Sequence, residues 1–193
     1  MRTWTLASAF AISLLFSVFT AVYAQDAPDH VVINEVDTNP AGDDSKSISE
    51  WVELYNPTSE DVDIGGWKVA STTVTKKTLT LPVGTKIKAG QFLVYSYSSL
   101  WFTDVSEKIQ LRDKSGQTID ETPVITDQKN DFSSWQRKFD GVDSDTSNDW
   151  ILRTSSAGSS NGKLDAKSVD KAELAISIKT DSRSYVFGET AII

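Results

Sequence analysis

An all-β sandwich is the fold class that the sequence predicts, on three observations. Short runs alternate with a period of two: Val32, Asn34 and Val36 against Ile33, Glu35 and Asp37, then Trp51, Glu53 and Tyr55 against Val52 and Leu54. That period belongs to a strand with two distinct faces. Gly, Pro, Asn and Asp punctuate these runs at short intervals, as they do in sandwiches. Beyond the apolar N-terminus, no stretch carries a helical pattern longer than two turns.

The elements follow in chain order. Arg2 precedes an apolar run at 6–22, whose polar residues are Ser and Thr alone, and Val22-Tyr23-Ala24 offers the small residues that a signal peptidase reads. Residues 1–24 are therefore expected to be a secretory signal peptide cleaved after Ala24, placing the protein outside the cell or on its surface, with no membrane span in the mature chain. A polar leader at 25–30 opens the remainder. Strands are predicted at 31–36, 50–55, 67–70, 78–81, 85–87, 92–97, 108–112, 118–124 and 150–153. Asn56-Pro57-Thr58-Ser59 supplies a fixed φ and side chains that cap their own backbone, and Gly65-Gly66 before Trp67 permits a bulge or a positive-φ corner. Residues 113–116 are expected to form a hairpin turn. Residues 101–106 and 132–137 are each expected to form one helical turn. At 154–162 the sequence becomes TSSAGSSNG, which reads as a flexible linker extending to residue 171. Residues 172–193 then turn strand-like again, with a turn at 181–184, and stop within a strand. Two strands bury no core by themselves, so this segment reads as the incomplete start of a second β domain.

Several motifs in fixed order resemble one family. The INEV start, the EWVELYNP strand and the Gly-Trp after an acidic turn are similar to the lamin tail domain in its secreted microbial form. So are LPVGTKIKAGQFLVYS at 81–96, IQLRDKSGQTID at 109–120, SSWQRKFDG at 133–141 and the closing Ser160-Asn161-Gly162. Ser156-Ala157-Gly158 stands where the family carries Thr-Pro-Gly. The resemblance spans about 31–163 and implies an immunoglobulin-like β-sandwich. Tyr185, Gly188-Glu189 and Ile192-Ile193 likewise resemble the opening of a second immunoglobulin-like domain of microbial surface proteins.

Composition narrows the chemistry. The chain has no cysteine, so disulfides and a lipidated cysteine are excluded. Its formal charge of −8 opposes nucleic-acid binding, which needs clustered Lys and Arg; Lys76-Lys77, with Lys86 and Lys88 a hairpin away, reads as solvated surface. One histidine, His30, and no cysteine make a zinc site improbable. No Gly-x-Ser-x-Gly elbow, His-Glu-x-x-His or phosphate loop is present.

Carboxylates remain. Glu35 and Glu53 fall on adjacent strands and could pair as a general acid and base, but a sandwich's outer face offers no obvious cleft, so they are expected to face solvent. Two acidic loops, 37–50 and 140–149, are candidate cation sites. In the second, Asp143, Asp145 and Ser147 recur at alternate positions with Asp149 behind, and Asp120 could join them; such oxygens can wrap Ca²⁺, and a charged loop without basic neighbours calls for screening. The bland reading is that these residues cap their own turns. Trp51, Trp67, Trp135 and Trp150 are expected to plug the core. Tyr95, Tyr97, Trp101 and Phe102 are expected to form a surface aromatic patch for protein or glycan. The sequence thus points to a non-catalytic, secreted or cell-surface interaction or tethering module, its partner a protein or envelope component. The alternatives are a calcium-stabilised adhesion or envelope module and the accessory domain of a larger exported hydrolase. No organic cofactor is implied.

Overall fold

The computed structural model describes residues 28–43 and 49–162, with the short strands Lys179–Thr180 and Arg183–Ser184. The expected signal peptide, the leader up to residue 27, the loop at 44–48, the linker beyond residue 162 and most of 172–193 lie outside the described residues.

Within them the strands are β1 Val32–Asp37, β2 Glu50–Tyr55, β3 Val62–Asp63, β4 Lys68–Ser71, β5 Thr78–Thr80, β6 Lys86–Ile87, β7 Phe92–Tyr97, β8 Ile109–Arg112, β9 Thr118–Glu121, β10 Ser133–Arg137 and β11 Trp150–Thr154. A 3-10 turn at Ser147–Asp149 leads into β11. Lys179–Thr180 and Arg183–Ser184, β12 and β13, pair antiparallel with each other.

One sheet has the order β11-β10-β1-β2-β7, another β5-β4-β8-β9, and β3 pairs with β6. Every pairing between these strands is antiparallel. A single apolar cluster draws Ile33, Val52 and Leu54 from the first sheet and Val69, Ile109 and Leu111 from the second. Two antiparallel sheets closed over one core make the immunoglobulin-like sandwich that the sequence predicts.

A bulge decides which residues of β1 face inward. The β1–β2 register shifts between Ile33 and Glu35. Ile33 and Val36, three apart, consequently both enter the core, whereas uninterrupted alternation would separate them. Glu35 pairs with Glu53 across the strands, on the face opposite the core residues Val52 and Leu54.

The glycine corner before β4 is tight. Gly66 has φ +81°, its N–H donates to Leu81 O, and a Cβ on Gly65 would stand 2.6 Å from Gly84 N. The 113–116 turn forms as expected, with Asp113 N donating to Gln117 O and Gly116 N to Asp113 O.

Two helical expectations fail. Residues 132–137 contain β10, seated between β11 and β1. Ser134 and Gln136 share one face, Trp135 and Arg137 the other, and the polar content of both faces hides the period. Residues 101–106 form bends without a helix, because the backbone N–H groups of Trp101 and Phe102 are drawn to the Glu50 carboxylate instead of a preceding turn.

Candidate functional site

The aromatic patch divides on inspection. Trp101 and Phe102 are fully buried, which corrects their expected surface position. Their rings stack at 4.3 Å, and Tyr95 and Tyr97 meet Trp101 edge-on at 6.0 and 6.3 Å. Glu50 Oε2 accepts both backbone N–H groups and Thr75 Oγ1 donates to Trp101 O at 2.6 Å, so the pair is fixed as a core wall. Tyr95 and Tyr97 are half-buried on β7, where Val94 is exposed, as is Leu100 in the loop that follows. Lys77 Nζ lies 4.7 Å from the Tyr97 ring centroid. Tyr95 and Tyr97 thus pack against the core on the inner face of β7, and the expected surface cluster is an interior one.

The loop at 140–149 has a basic neighbour after all. Arg137, 1% exposed, donates through Nη2 to both oxygens of Asp120 at 3.1 Å, through Nη1 to Asp143 Oδ1 at 3.1 Å and Val142 O at 2.8 Å, and through Nε to Ile33 O at 2.8 Å. Asp149 Oδ2 lies 3.8 Å from Nη1, and the guanidinium covers the Trp150 ring at 5.0 Å. Asp120 sits on β9 of the other sheet and also accepts from Ile33 N at 2.6 Å. The ion pair therefore ties the two sheets together across the interior. Asp143 and Asp149 also cap the loop: Asp143 Oδ1 accepts from Asp145 N, and Asp149 accepts from Ser144 N and Oγ at 2.7 Å. Among the described residues, no group of three His, Asp or Glu side chains is placed to hold a metal ion. Asp143, Asp145 and Asp149 are arranged around a guanidinium and their own turn. His30 lies beside Asp29 at 3.1 Å and Asp143 at 3.9 Å.

The Glu35–Glu53 pair overturns the expectation of solvent-facing acids, since both are fully buried. The segment read as a flexible linker covers them. Ser156 donates from N and Oγ to Glu35 at 2.8 Å, and Gly158 N donates to Glu53 Oε2 at 2.6 Å. Ser134 Oγ adds a bond to Glu35, and Asn34 Nδ2 bridges Glu53 and Asp140 at 3.0 and 3.1 Å. Asn161 closes the arrangement, its N donating to Asp140 Oδ1 and its Nδ2 to Asn34 O. Burial pushes the Glu53 carboxyl up to about 7, against the pull of the Asn34 and Gly158 N–H groups. Burial likewise raises Asp37 to about 7, with Asp127 and Glu35 adding repulsion.

The sequence reading does not single out Asn34, Ser156, Gly158 and Asn161 as partners of the buried acids. A signal was present: the Ser-Asn-Gly at 160–162 belonged to the resemblance and so to the framework, although its composition suggested a linker. Trp150 is buried as expected, while Trp51, Trp67 and Trp135 are half-buried. Lys76, Lys86 and Lys88 are exposed, in keeping with a solvated surface. Among the described residues, no helix is long and apolar enough to cross a membrane.

The family model described as Lamin Tail Domain matches residues 24–126, more than half of the chain. The match stops short of β10 and β11, which the structure places in the same sheet as β1 and β2. No curated protein matches the chain.

Proposed function

The chain belongs to the lamin tail domain family, and from that premise we propose that it works as a secreted or cell-surface interaction module that breaks no bonds. The family indicates an immunoglobulin-like interaction domain; export and the absence of catalysis are the added steps.

The burial of Glu35 and Glu53 carries the second step. A hydrolase using paired carboxylates needs both in a cleft that substrate enters. Here Ser156 and Gly158 cap the pair from the only side of the sheet that does not face the core, and their N–H and O–H groups occupy the carboxylate oxygens. What the fold offers a partner is its loops and strand edges, which in sandwiches are the usual contact surfaces. Export is supported by the apolar 6–22 run and the Val22-Tyr23-Ala24 junction.

N-terminal sequencing of protein recovered outside the producing cells tests export, with Gln25 as the expected first residue; recovery solely in the cytoplasm overturns it. The purified mature chain, fluorescently labelled, is expected to bind intact producing cells saturably and to leave glycoside, ester and phosphodiester substrates unchanged. Multiple turnover of any such substrate, abolished by Glu53→Gln, overturns the non-catalytic reading.

A further inference from the structure

Residues 155–162 form a strap that leaves β11 and crosses the outer face of the first sheet. Its ends are pinned by backbone bonds: Ser155 N donates to Phe132 O at 2.9 Å, and Asp140 N donates to Gly162 O at 2.8 Å. Between those ends three strap N–H groups reach the sandwich, and each ends on a carboxylate. Ser156 N meets Glu35, Gly158 N meets Glu53 and Asn161 N meets Asp140. The strap carries no side chain larger than asparagine, and 157–160 are exposed. A segment with so little apolar surface to bury belongs to the low-stability end of a fold, and its hold depends on what those acids do.

Glu53 is the sensitive contact. It stands opposite Glu35 of β1, and both are fully buried. Asp140, in the turn after β10, is joined to Glu53 through Asn34, which donates to both. Asp37 lies two residues further along β1, opposite Trp51. On β2 itself the other titratable group of this face is Tyr55, a phenol that burial pushes further up. β7 sets Phe92, Val94 and Ser96 opposite this face of β2, and β10 brings Ser134 and Gln136, none of which ionises. Arg153 of β11 donates to Gln136 Oε1 at 2.9 Å and to Asn161 O. Among the described residues, Glu35, Glu53 and Asp140 thus meet neutral N–H and O–H groups and no paired cation.

We propose that the strap at 155–162 is a proton-operated latch, closed over Glu53 while that carboxyl keeps its proton and released when it ionises. Its release uncovers the outer face of the first sheet and moves the point where the chain beyond residue 162 leaves the sandwich. The sign follows from hydration. In the closed form burial, with repulsion from Glu35 and Asp140, outweighs the N–H groups of Asn34 and Gly158 and holds Glu53 at about 7. In the open form water reaches the carboxyl, and its value returns toward the ordinary 4.5. The closed form therefore binds the proton more tightly, and opening gains as pH rises through that window. The opening constant grows by at most about tenfold per pH unit, and by roughly 50-fold between pH 5 and 7.5. The latch is independent of which partner the module takes.

Amide hydrogen exchange of the purified mature chain, corrected for the intrinsic pH dependence of exchange, tests the latch. The Ser156 and Gly158 amides are expected to be less protected than those of β8 at every pH, and their protection to fall roughly 50-fold between pH 5 and 7.5. Glu53→Gln, which cannot ionise, is expected to remove that pH dependence. A reciprocal measurement follows the Glu53 carboxyl itself by carbon NMR, since a proton that closes the strap must be held by the closed strap. Gly158→Pro removes the N–H given to Glu53 and cannot adopt the φ of +76° found there. It is expected to keep the strap open and to bring the Glu53 midpoint from about 7 down toward 4.5, with an unchanged near-ultraviolet spectrum reporting an intact sandwich. Strap amides that exchange only together with β8 overturn the proposal. So does corrected protection that is constant with pH, or a pH dependence that survives Glu53→Gln. A Glu53 midpoint that stays near 7 in a folded Gly158→Pro variant overturns it without recourse to Glu53→Gln.

Discussion

Arg137 holds its charge inside the sandwich by meeting five acceptors: Asp120 twice, Asp143, Val142 O and Ile33 O. A buried pair of this kind adds little net stability relative to apolar residues, yet removing one partner strands the other charge out of water. Arg137→Ala is therefore expected to cost about 3–5 kcal/mol in urea unfolding. The double variant Arg137→Met, Asp120→Leu is expected to recover much of that loss, because neither charge then remains. The same geometry bears on calcium. With the guanidinium between Asp120 and Asp143, added Ca²⁺ is expected to leave the thermal midpoint of the wild type unmoved; a large saturable rise would restore a cation to that loop. Part of this was legible locally, since Arg137 stands six residues before Asp143, just ahead of the acidic loop. Its burial was not, because Asp120 lies 17 residues away and Ile33 104.

At the scale of elements, strands whose apolar residues alternate against polar ones were legible, and β2 and β7 run over the residues expected of them. The failures share a cause. In β10 both faces carry polar residues, one facing the buried acids and the other holding Arg137, so hydrophobic periodicity has nothing to register. The segment after β11 has a linker's composition, yet its small residues are what allow backbone N–H groups to approach Glu35 and Glu53. Its Ser and Gly act as hydrogen-bond donors at close range. Ser156→Ala removes the hydroxyl that donates one hydrogen bond among Glu35, Gln136 and Asn161, whose oxygens lie 2.6–3.1 Å from Oγ. It is expected to cost about 1–3 kcal/mol, the range for leaving buried polar groups unpaired. Hydrogen exchange distinguishes a lost seal from general loosening: the Gly158 amide is expected to lose protection well before the amides of β1 and β2. Equal loss across all three would mean that 155–162 is merely another part of a uniformly cooperative fold.

For the whole molecule, the buried acids set how stability follows pH. Glu53 and Asp37 have folded values near 7, above their ordinary 4.5 and 3.8, both chiefly through burial. A carboxyl raised on folding binds its proton more tightly in the native state. Its contribution is complete below the unfolded value and is lost as pH climbs through the folded one. The difference for Glu53 corresponds to about 3 kcal/mol at most, with Asp37 acting in the same direction and window. Stability is thus expected to fall between about pH 4.5 and 7 and to level off above it. That is opposite to the trend for a sandwich whose acids are all solvated or ion-paired. Without disulfides to restrain the unfolded chain, such a slope is a large share of a typical net stability of about 5–15 kcal/mol. Urea midpoints measured from pH 4.5 to 8 check it directly. The wild type is expected to lose midpoint steadily up to pH 7, and Glu53→Gln, which cannot ionise, to flatten the slope even if its midpoint at pH 5 is lower. A wild-type midpoint that is constant or rises across that range would mean that Glu53 and Asp37 are ionised in place, with the surrounding N–H groups outweighing their desolvation.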